Sequence, residues 1–146
     1  MKRLFITIAI GCCLFSIGIY FFHAYSERSL ASLIYYNEED IIIIGVTVDR
    51  TNTEREEGYD HYLDEQEEIE ALLAFLANYQ VKRVSQSYYQ KQLLYGSQQE
   101  VFISHYSHNA SVVFIGEAGV HVVDQGTYRI VNGPIDLNEL ENVIVK

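Results

Sequence analysis

An uncharged apolar stretch occupies residues 4–22 of this chain of 146 residues. As a helix it would be about 28 Å long, close to the hydrocarbon thickness of a bilayer. Lys2 and Arg3 precede the stretch and Tyr20 and Tyr25 lie at its other end, a distribution typical of a cytoplasmic N-terminus and an interfacial aromatic belt. The stretch therefore predicts a single transmembrane helix, with the rest of the chain outside the cytoplasm at the cell membrane.

Two alternatives use the same residues. A cleaved signal peptide would have a shorter apolar stretch and a site of small residues after it, and acylation of Cys12 would make the chain a lipoprotein. We favour an uncleaved anchor because the stretch is long enough to span by itself. The predicted organisation is an anchor or uncleaved signal at 1–25, a juxtamembrane stalk at 26–37 and an extracytoplasmic domain at 38–146.

Charge and cysteine content restrict what the domain can do. Lys2 and Arg3 are two of the 10 basic residues, whereas all 20 acidic residues follow the apolar stretch, so that residues 26–146 carry a formal charge of −12. Such a domain repels nucleic-acid phosphates and attracts cations or a basic protein partner. Cys12 and Cys13 both lie in the apolar stretch, which excludes a disulfide or a thiolate nucleophile within the domain.

The pattern of apolar residues predicts an α+β domain, an antiparallel sheet with one long helix packed on it and a short C-terminal helix. Residues 41–44 are four consecutive isoleucines, typical of a central strand buried on both faces. The long helix should begin after Asp64, with Glu67 completing a capping box, and run to about Tyr79. Residues 81–96 fit either a strand or a short helix. The other predicted elements are strands at 101–106, 111–115, 120–123 and 127–131 and a helix that begins after Asp136.

Three stretches within these elements carry a family resemblance. They are residues 64–73 (DEQEEIEALL), 127–131 (TYRIV) and 137–140 (LNEL). In these patterns the chain resembles the YhfM-like group, small exported or membrane-anchored domains of unknown function from Gram-positive bacteria. The resemblance implies an exported, non-enzymatic domain and assigns no activity, because the shared residues are mostly packing residues.

Histidine and serine are the residue types that could carry chemistry. His105, His108 and His121 lie on or beside neighbouring predicted strands, where imidazoles could converge on zinc or copper. We regard them as weak metal candidates only, because His105 and His108 would face opposite sides of one strand. Ser104 and Ser107 lack a recognisable nucleophile turn. We therefore predict no catalytic residue, no metal and no cofactor.

The acidic residues form the one conspicuous cluster. Glu54, Glu56, Glu57 and Asp60 lie in a predicted loop before the long helix, and we select these four as a candidate interaction surface for a basic partner. Charge runs also serve solubility and helix capping, which is the commoner use.

The sequence thus favours a membrane-anchored binding or interaction module at the cell envelope, without enzymatic activity. One alternative is an envelope hydrolase that uses carboxylates or histidines. Another is a cation-responsive accessory protein. A concave pocket with a shifted pKa would favour the enzyme, whereas a flat or grooved surface would favour the module.

Overall fold

The computed structural model describes residues 2–34, 38–50 and 58–145, without the side chains of 2–10, 20, 21, 23 and 38. Its helices are short apart from the N-terminal one, and a single 3-10 turn at Glu38–Asp40 precedes the second strand of the chain. The helices are α1 (Lys2–Tyr25), α2 (Ala31–Ile34), α3 (Gln66–Ala77), α4 (Gln86–Gln92) and α5 (Leu137–Ile144).

In the described residues, eight strands form one antiparallel sheet in the order β1-β4-β8-β7-β6-β5-β2-β3. Strands β5 to β8 are a meander, because each pairs with its neighbour in the chain. The strands are β1 (Arg28–Ser29), β2 (Ile41–Thr47), β3 (His61–Leu63), β4 (Gln80–Val84), β5 (Gln99–His105), β6 (Ser111–Ile115), β7 (Gly119–Val122) and β8 (Gly126–Ile130).

One face of the sheet, here called the helix face, forms the main core. Along β5 the alternate residues Gln99, Val101, Ile103 and His105 are buried, as the two-residue period of a strand requires. The side-chain amide of Gln99 donates to the carbonyl of Leu137 in α5 at 3.2 Å, which places α5 on this face. Helical residues of the same core include Leu33, Ile34, Ile69, Leu72, Leu73, Leu76, Leu140 and Ile144, and Leu30, immediately before α2, joins them.

The other face of the sheet, here called the aromatic face, is covered through close approach at two glycines. A Cβ on Gly45 would lie 2.6 Å from the Tyr59 ring, and a Cβ on Gly119 would lie 2.8 Å from the Cβ of Leu93. Tyr59 stacks on Phe102 with ring centroids 5.4 Å apart. Glycine is required at both positions because any side chain would displace the covering residue.

The predicted fold class is wrong in its helices. The helix expected from Asp64 to about Tyr79 has only 12 residues, begins after Glu65 and has no side-chain cap. Residues expected to be a stalk instead contribute β1 and α2. Leu30, between these two elements, and Leu33, in α2, are buried in the core. The ambiguous segment 81–96 contains both a strand, β4, and a helix, α4.

The second strand differs from the expected fully buried strand. Ile41 pairs with His105 and Ile43 pairs with Ser104, so that the register shifts at Ile42. Ile42 is 39% exposed, whereas Ile44 is fully buried. A bulge of this kind turns one apolar side chain out of the strand's regular alternation.

The predicted transmembrane anchor is contradicted. Over the part of the chain that the structure describes, no helix is both long enough and apolar enough to cross a membrane. This finding contradicts three predictions: the N-terminal signal-anchor, the membrane as a binding partner of that helix, and the single-pass location with a cytoplasmic N-terminus.

Candidate functional site

Asp40 connects the 3-10 turn to the turn between β5 and β6. Its backbone carbonyl accepts from the amide of Tyr106 at 2.9 Å, and its Oδ1 accepts from the amide of Ser107 at 3.0 Å. Its Oδ2 lies 2.9 Å from Nδ1 of His108 and 3.8 Å from Nδ1 of His105. One residue therefore bonds three consecutive residues of the turn and also faces a second imidazole.

Asp40 and the two imidazoles, here called the Asp40 cluster, span an exposed and a buried environment. The side chain of His105 is 3% exposed and that of His108 is 52% exposed. The hydrogen bond from His108 holds the pKa of Asp40 below its ordinary value. Burial lowers the pKa of His105, although the nearby Asp40 carboxylate opposes that shift. His105 is therefore held neutral in conditions where a solvated imidazole would begin to charge.

The geometry of the Asp40 cluster does not fit nucleophilic catalysis by Ser107. The 2.9 Å contact with Asp40 requires the proton of His108 on Nδ1, and the Ser107 Oγ lies 2.7 Å from that same nitrogen. In a catalytic triad the serine meets the other ring nitrogen, the free base. Ser107 cannot lose its proton to a nitrogen that already carries one.

Ser111, His105 and Asp40 follow one another in the order of a catalytic triad, but the distances between them are too long. Its Oγ lies 3.4 Å from Nε2 of His105, whose Nδ1 faces Asp40 at 3.8 Å. Both distances exceed the usual 2.6–3.2 Å of a nucleophile and base pair. A substrate would also have to reach an imidazole that is almost completely buried.

The three histidines that the sequence analysis proposed as weak metal candidates do not converge on one site. His121 lies on the aromatic face, stacked on Phe114 with centroids 5.9 Å apart and tilted against Tyr89 at 6.1 Å. His105 and His108 share Asp40 at the end of β5. Among residues 2–34, 38–50 and 58–145, no group of three or more His, Cys, Asp or Glu side chains has an arrangement that could hold a metal ion.

The predicted interaction surface is described in part. Glu54, Glu56 and Glu57 lie outside the described residues. Asp60 is exposed, and its Oδ2 accepts from the amide of Val48 at 2.8 Å. Asp60 therefore joins the two ends of the segment between β2 and β3, and its role in recognition stays a prediction.

A groove between α3 and α5, here called the acidic groove, carries further carboxylates. Its lining residues are Glu65, Glu67, Glu68, Ala71 and Val143, and its volume is about 210 Å³. Ala71 and Val143 are half-buried and give it an apolar floor. No ion pair within the described part of the chain involves Glu65, Glu67 or Glu68. The carboxylates are therefore left to solvent or to a ligand.

A second cavity lies beside the aromatic face. It has about 130 Å³ and is lined by Thr47, Arg50, Gly58, Tyr59 and Glu100. Nε of Arg50 and Oε2 of Glu100 form an ion pair at 2.5 Å, with both side chains mostly buried. Burial and the nearby Glu100 carboxylate raise the pKa of Tyr59. The ion pair fixes the wall of the cavity and supplies no unpaired charge to its interior.

Sequence reasoning did not single out Asp40, because its partners lie 67 and 68 residues away in the chain. The adjacent pair Ser107-His108 was visible, but its orientation depends on the folded turn. No family model matches the chain, and no curated protein or solved structure is significantly similar to it.

Proposed function

We propose that this domain is a non-enzymatic interaction module that binds a basic segment of a partner protein in the acidic groove. The observation that carries the proposal is the combination of three carboxylates without ion-pair partners in the described chain and an apolar floor from Ala71 and Val143. Charge alone would attract any cation, whereas an apolar floor adds a preference for a segment with apolar side chains between its basic ones.

The electrostatics of the chain support the same partner class. The formal charge is −10, so a basic segment is attracted from a distance and steered towards the most acidic surface. α3 begins at this surface, with Glu67 and Glu68 in its first turn. Two carboxylates there offset the positive end of the helix dipole, and they also remain available to cationic side chains.

A synthetic amphipathic peptide with alternating leucine and lysine pairs is the probe for a direct test. We expect the full-length protein to bind it, with an affinity that falls as salt is added. Glu67→Gln with Glu68→Gln should weaken binding by about tenfold and reduce its salt dependence, the size of effect that a loss of about 1.4 kcal/mol produces. Titration calorimetry at two salt concentrations measures both quantities.

The matched control removes the same charge elsewhere. Glu117→Gln with Asp124→Asn alters two exposed carboxylates in the hairpin loops before and after β7, and it should leave the affinity nearly unchanged. Val143→Thr keeps the shape of the groove floor but replaces one methyl group with a hydroxyl, and it should weaken binding without changing the salt dependence. Equal losses in both double variants would show that net charge alone attracts the peptide and would sink the proposal.

A further inference from the structure

One side of α1 is apolar and exposed. Leu14, Phe15, Ile19 and Phe22 line a groove of about 380 Å³, with Gly18 between them. These four residues are 52% to 81% exposed. At about 100° of rotation per residue, all five positions fall within an arc of about 140° on one side of the helix. This surface is here called the α1 face.

Glycine and phenylalanine alternate along the middle of the α1 face. Gly11, Phe15, Gly18 and Phe22 follow one another at intervals of four, three and four residues, the spacing at which residues of one helix face a partner helix. A Cβ on Gly11 or Gly18 would meet no atom within 4 Å. The α1 face therefore presents two open hollows and two exposed rings in alternation.

A second copy of the same helix, placed antiparallel, matches this alternation. If Phe15 lies opposite Gly18 of the second copy, two-fold symmetry also places Gly18 opposite Phe15 of that copy. The same register places Gly11 opposite Phe22 of the second copy, and the reverse. Each ring then fills the space that an absent Cβ leaves on the other helix, as close packing of two helices requires.

The exposed area of the α1 face is sufficient for a stable pair. With about 200 Å² for a fully exposed side chain of this size, Leu14, Phe15, Ile19 and Phe22 together offer roughly 500 Å² per chain. Two copies would therefore bury about 1,000 Å² from these side chains alone, the size that a specific interface needs. An interface of this composition gains its free energy from the burial of apolar surface.

The distribution of charge also permits two copies to meet at this face. Residues 4–22 carry no charge, whereas residues 26–146 carry a formal charge of −12. In the antiparallel register the C-terminal ends of the two α1 helices lie about 25 Å apart along the pair. This separation exceeds the screening length of about 8 Å at physiological salt, so the acidic domains oppose the pairing only weakly.

We propose that two copies of this protein pair antiparallel through their α1 faces, with each phenylalanine of the face over a glycine of the other copy. The interface is isologous, because both copies contribute the same residues. It is separate from the acidic groove, which α3 and α5 form. A failure of peptide binding in the acidic groove would therefore leave the pairing of α1 unaffected.

Sedimentation velocity of the full-length protein over a range of concentrations measures the pairing. We expect a dimer that dissociates on dilution. Phe15→Gly should leave a hollow opposite Gly18 of the second copy, and Gly18→Phe should bring two rings into conflict. Each change occurs twice in a symmetric pair, so each variant should weaken dimerisation by about tenfold or more.

An equimolar mixture of Phe15→Gly chains and Gly18→Phe chains is the decisive measurement. In the mixed pair the introduced ring lies opposite the introduced glycine, and the remaining native Phe15 lies opposite the remaining native Gly18. The mixture should therefore dimerise more tightly than either variant alone. A variant chain that failed to fold could not restore the pair, so restoration also excludes misfolding as the cause of the losses.

Matched controls introduce the same residue types away from the α1 face. Ser16→Phe and Ile17→Gly alter positions on the opposite side of α1 at the same depth along the helix. They change the helix propensity in the same way as the test variants. Both should leave the dimer nearly unchanged, and losses equal to those of the test variants would show that the α1 face is not the interface.

The orientation of the pair is measured by spin labels near the start of α1. Lys2→Cys, combined with Cys12→Ser and Cys13→Ser, provides one label site per chain. In the antiparallel register the two labelled positions should lie about 40–45 Å apart, at about 1.5 Å per residue, whereas a parallel pair would bring them to about 10 Å. Electron double resonance separates these distances.

Four results would overturn the pairing. One is a monomer at every concentration, and another is a mixture of the two variants that fails to restore the dimer. A short distance between the labels would show that the helices are parallel. Binding of the protein to phosphatidylcholine vesicles in place of dimerisation would show that lipid, and not a second copy, covers the α1 face.

Discussion

The two faces of the sheet are closed in different ways. On the helix face, aliphatic side chains of β5 pack under α2, α3 and α5, and one continuous cluster contains them. On the aromatic face, closure depends on rings at two glycines, Tyr59 over Gly45 and Tyr89 near Gly119. The first face is held by many interchangeable apolar contacts, whereas the second is held by a few specific ones.

This difference decides where the fold tolerates change. An aliphatic cluster loses a methylene without losing its other contacts, and the cost grows with the cavity that remains. A ring placed directly on a strand has no such tolerance, because a single added carbon displaces it. His105, a member of the Asp40 cluster, lies at one end of the buried row of β5 and therefore on the helix face.

The largest expected effect is on the helix face. Leu73 is 2% exposed in the main core, and Leu73→Ala should lower the free energy of unfolding by about 2–5 kcal/mol because it leaves a cavity. Ala74→Ser, at the exposed neighbouring position of α3, is the control and should change it by less than about 0.5 kcal/mol. Urea unfolding followed by circular dichroism measures both. Similar values for the two variants would mean that α3 does not pack as described.

A smaller effect is expected on the aromatic face. Gly45→Ala places a Cβ at 2.6 Å from the ring of Tyr59, and displacement of that ring should cost about 1–3 kcal/mol. Tyr59→Ala removes the obstacle, so the double variant should be more stable than the sum of the single effects predicts. A double-mutant cycle from urea unfolding measures this coupling. Strict additivity would show that the ring does not rest on Gly45.

The helix face was more accessible to sequence reasoning than the aromatic face. The β-branched residues of β5 and β6 alternate at the period of a half-buried strand. Both strands therefore begin and end within about two residues of their predicted positions. By contrast, the cover over Gly45 requires a tyrosine 14 residues later in the chain, and no local pattern encodes that approach. The predicted helix was too long at both ends: α3 begins after Glu65, one residue later than a cap at Asp64 would place it, and it ends at Ala77 instead of about Tyr79.

Each candidate site could be predicted from the sequence only in part. The acidic residues of α3 were visible as charge, but their neighbour in the acidic groove, Val143, comes from α5. In the second site, the Asp40 cluster, no residue near Asp40 in the sequence indicated that this carboxylate would bond the β5–β6 turn. Sites assembled from distant elements become visible only when the sheet order is known.

A third prediction concerns pH and the polar end of the helix face. Because the pKa of His105 is lowered on folding from its ordinary value of 6.5, the unfolded chain binds the proton more tightly. Its contribution to stability is therefore fully present above about pH 6.5 and is lost as pH falls below that value towards the lowered pKa. The pKa of Asp40 is lowered from 3.8, so its contribution is lost only at more acidic pH.

The measurement is urea unfolding as a function of pH, with His105→Gln and His121→Gln as a pair. His105→Gln should flatten the slope of stability immediately below pH 6.5, whereas His121→Gln should retain it. A slope of the opposite sign in the unaltered protein, with stability rising on acidification, would show that Asp40 outweighs burial at His105.

The smallest expected effect is at the outer surface of α3, where the helix face ends and solvent begins. Glu67 is exposed and lies in the first turn, so its main structural contribution is a favourable interaction with the helix dipole, worth about 0.3–1 kcal/mol at low salt. Physiological salt screens most of that interaction, and Glu67→Gln should therefore change the free energy of unfolding by less than about 0.5 kcal/mol. Thermal melts at low and moderate salt measure the difference. A larger loss that persists in salt would show that the Glu67 carboxylate stabilises the fold. The small structural contribution of Glu67 could then no longer be used as an argument that the acidic groove serves recognition.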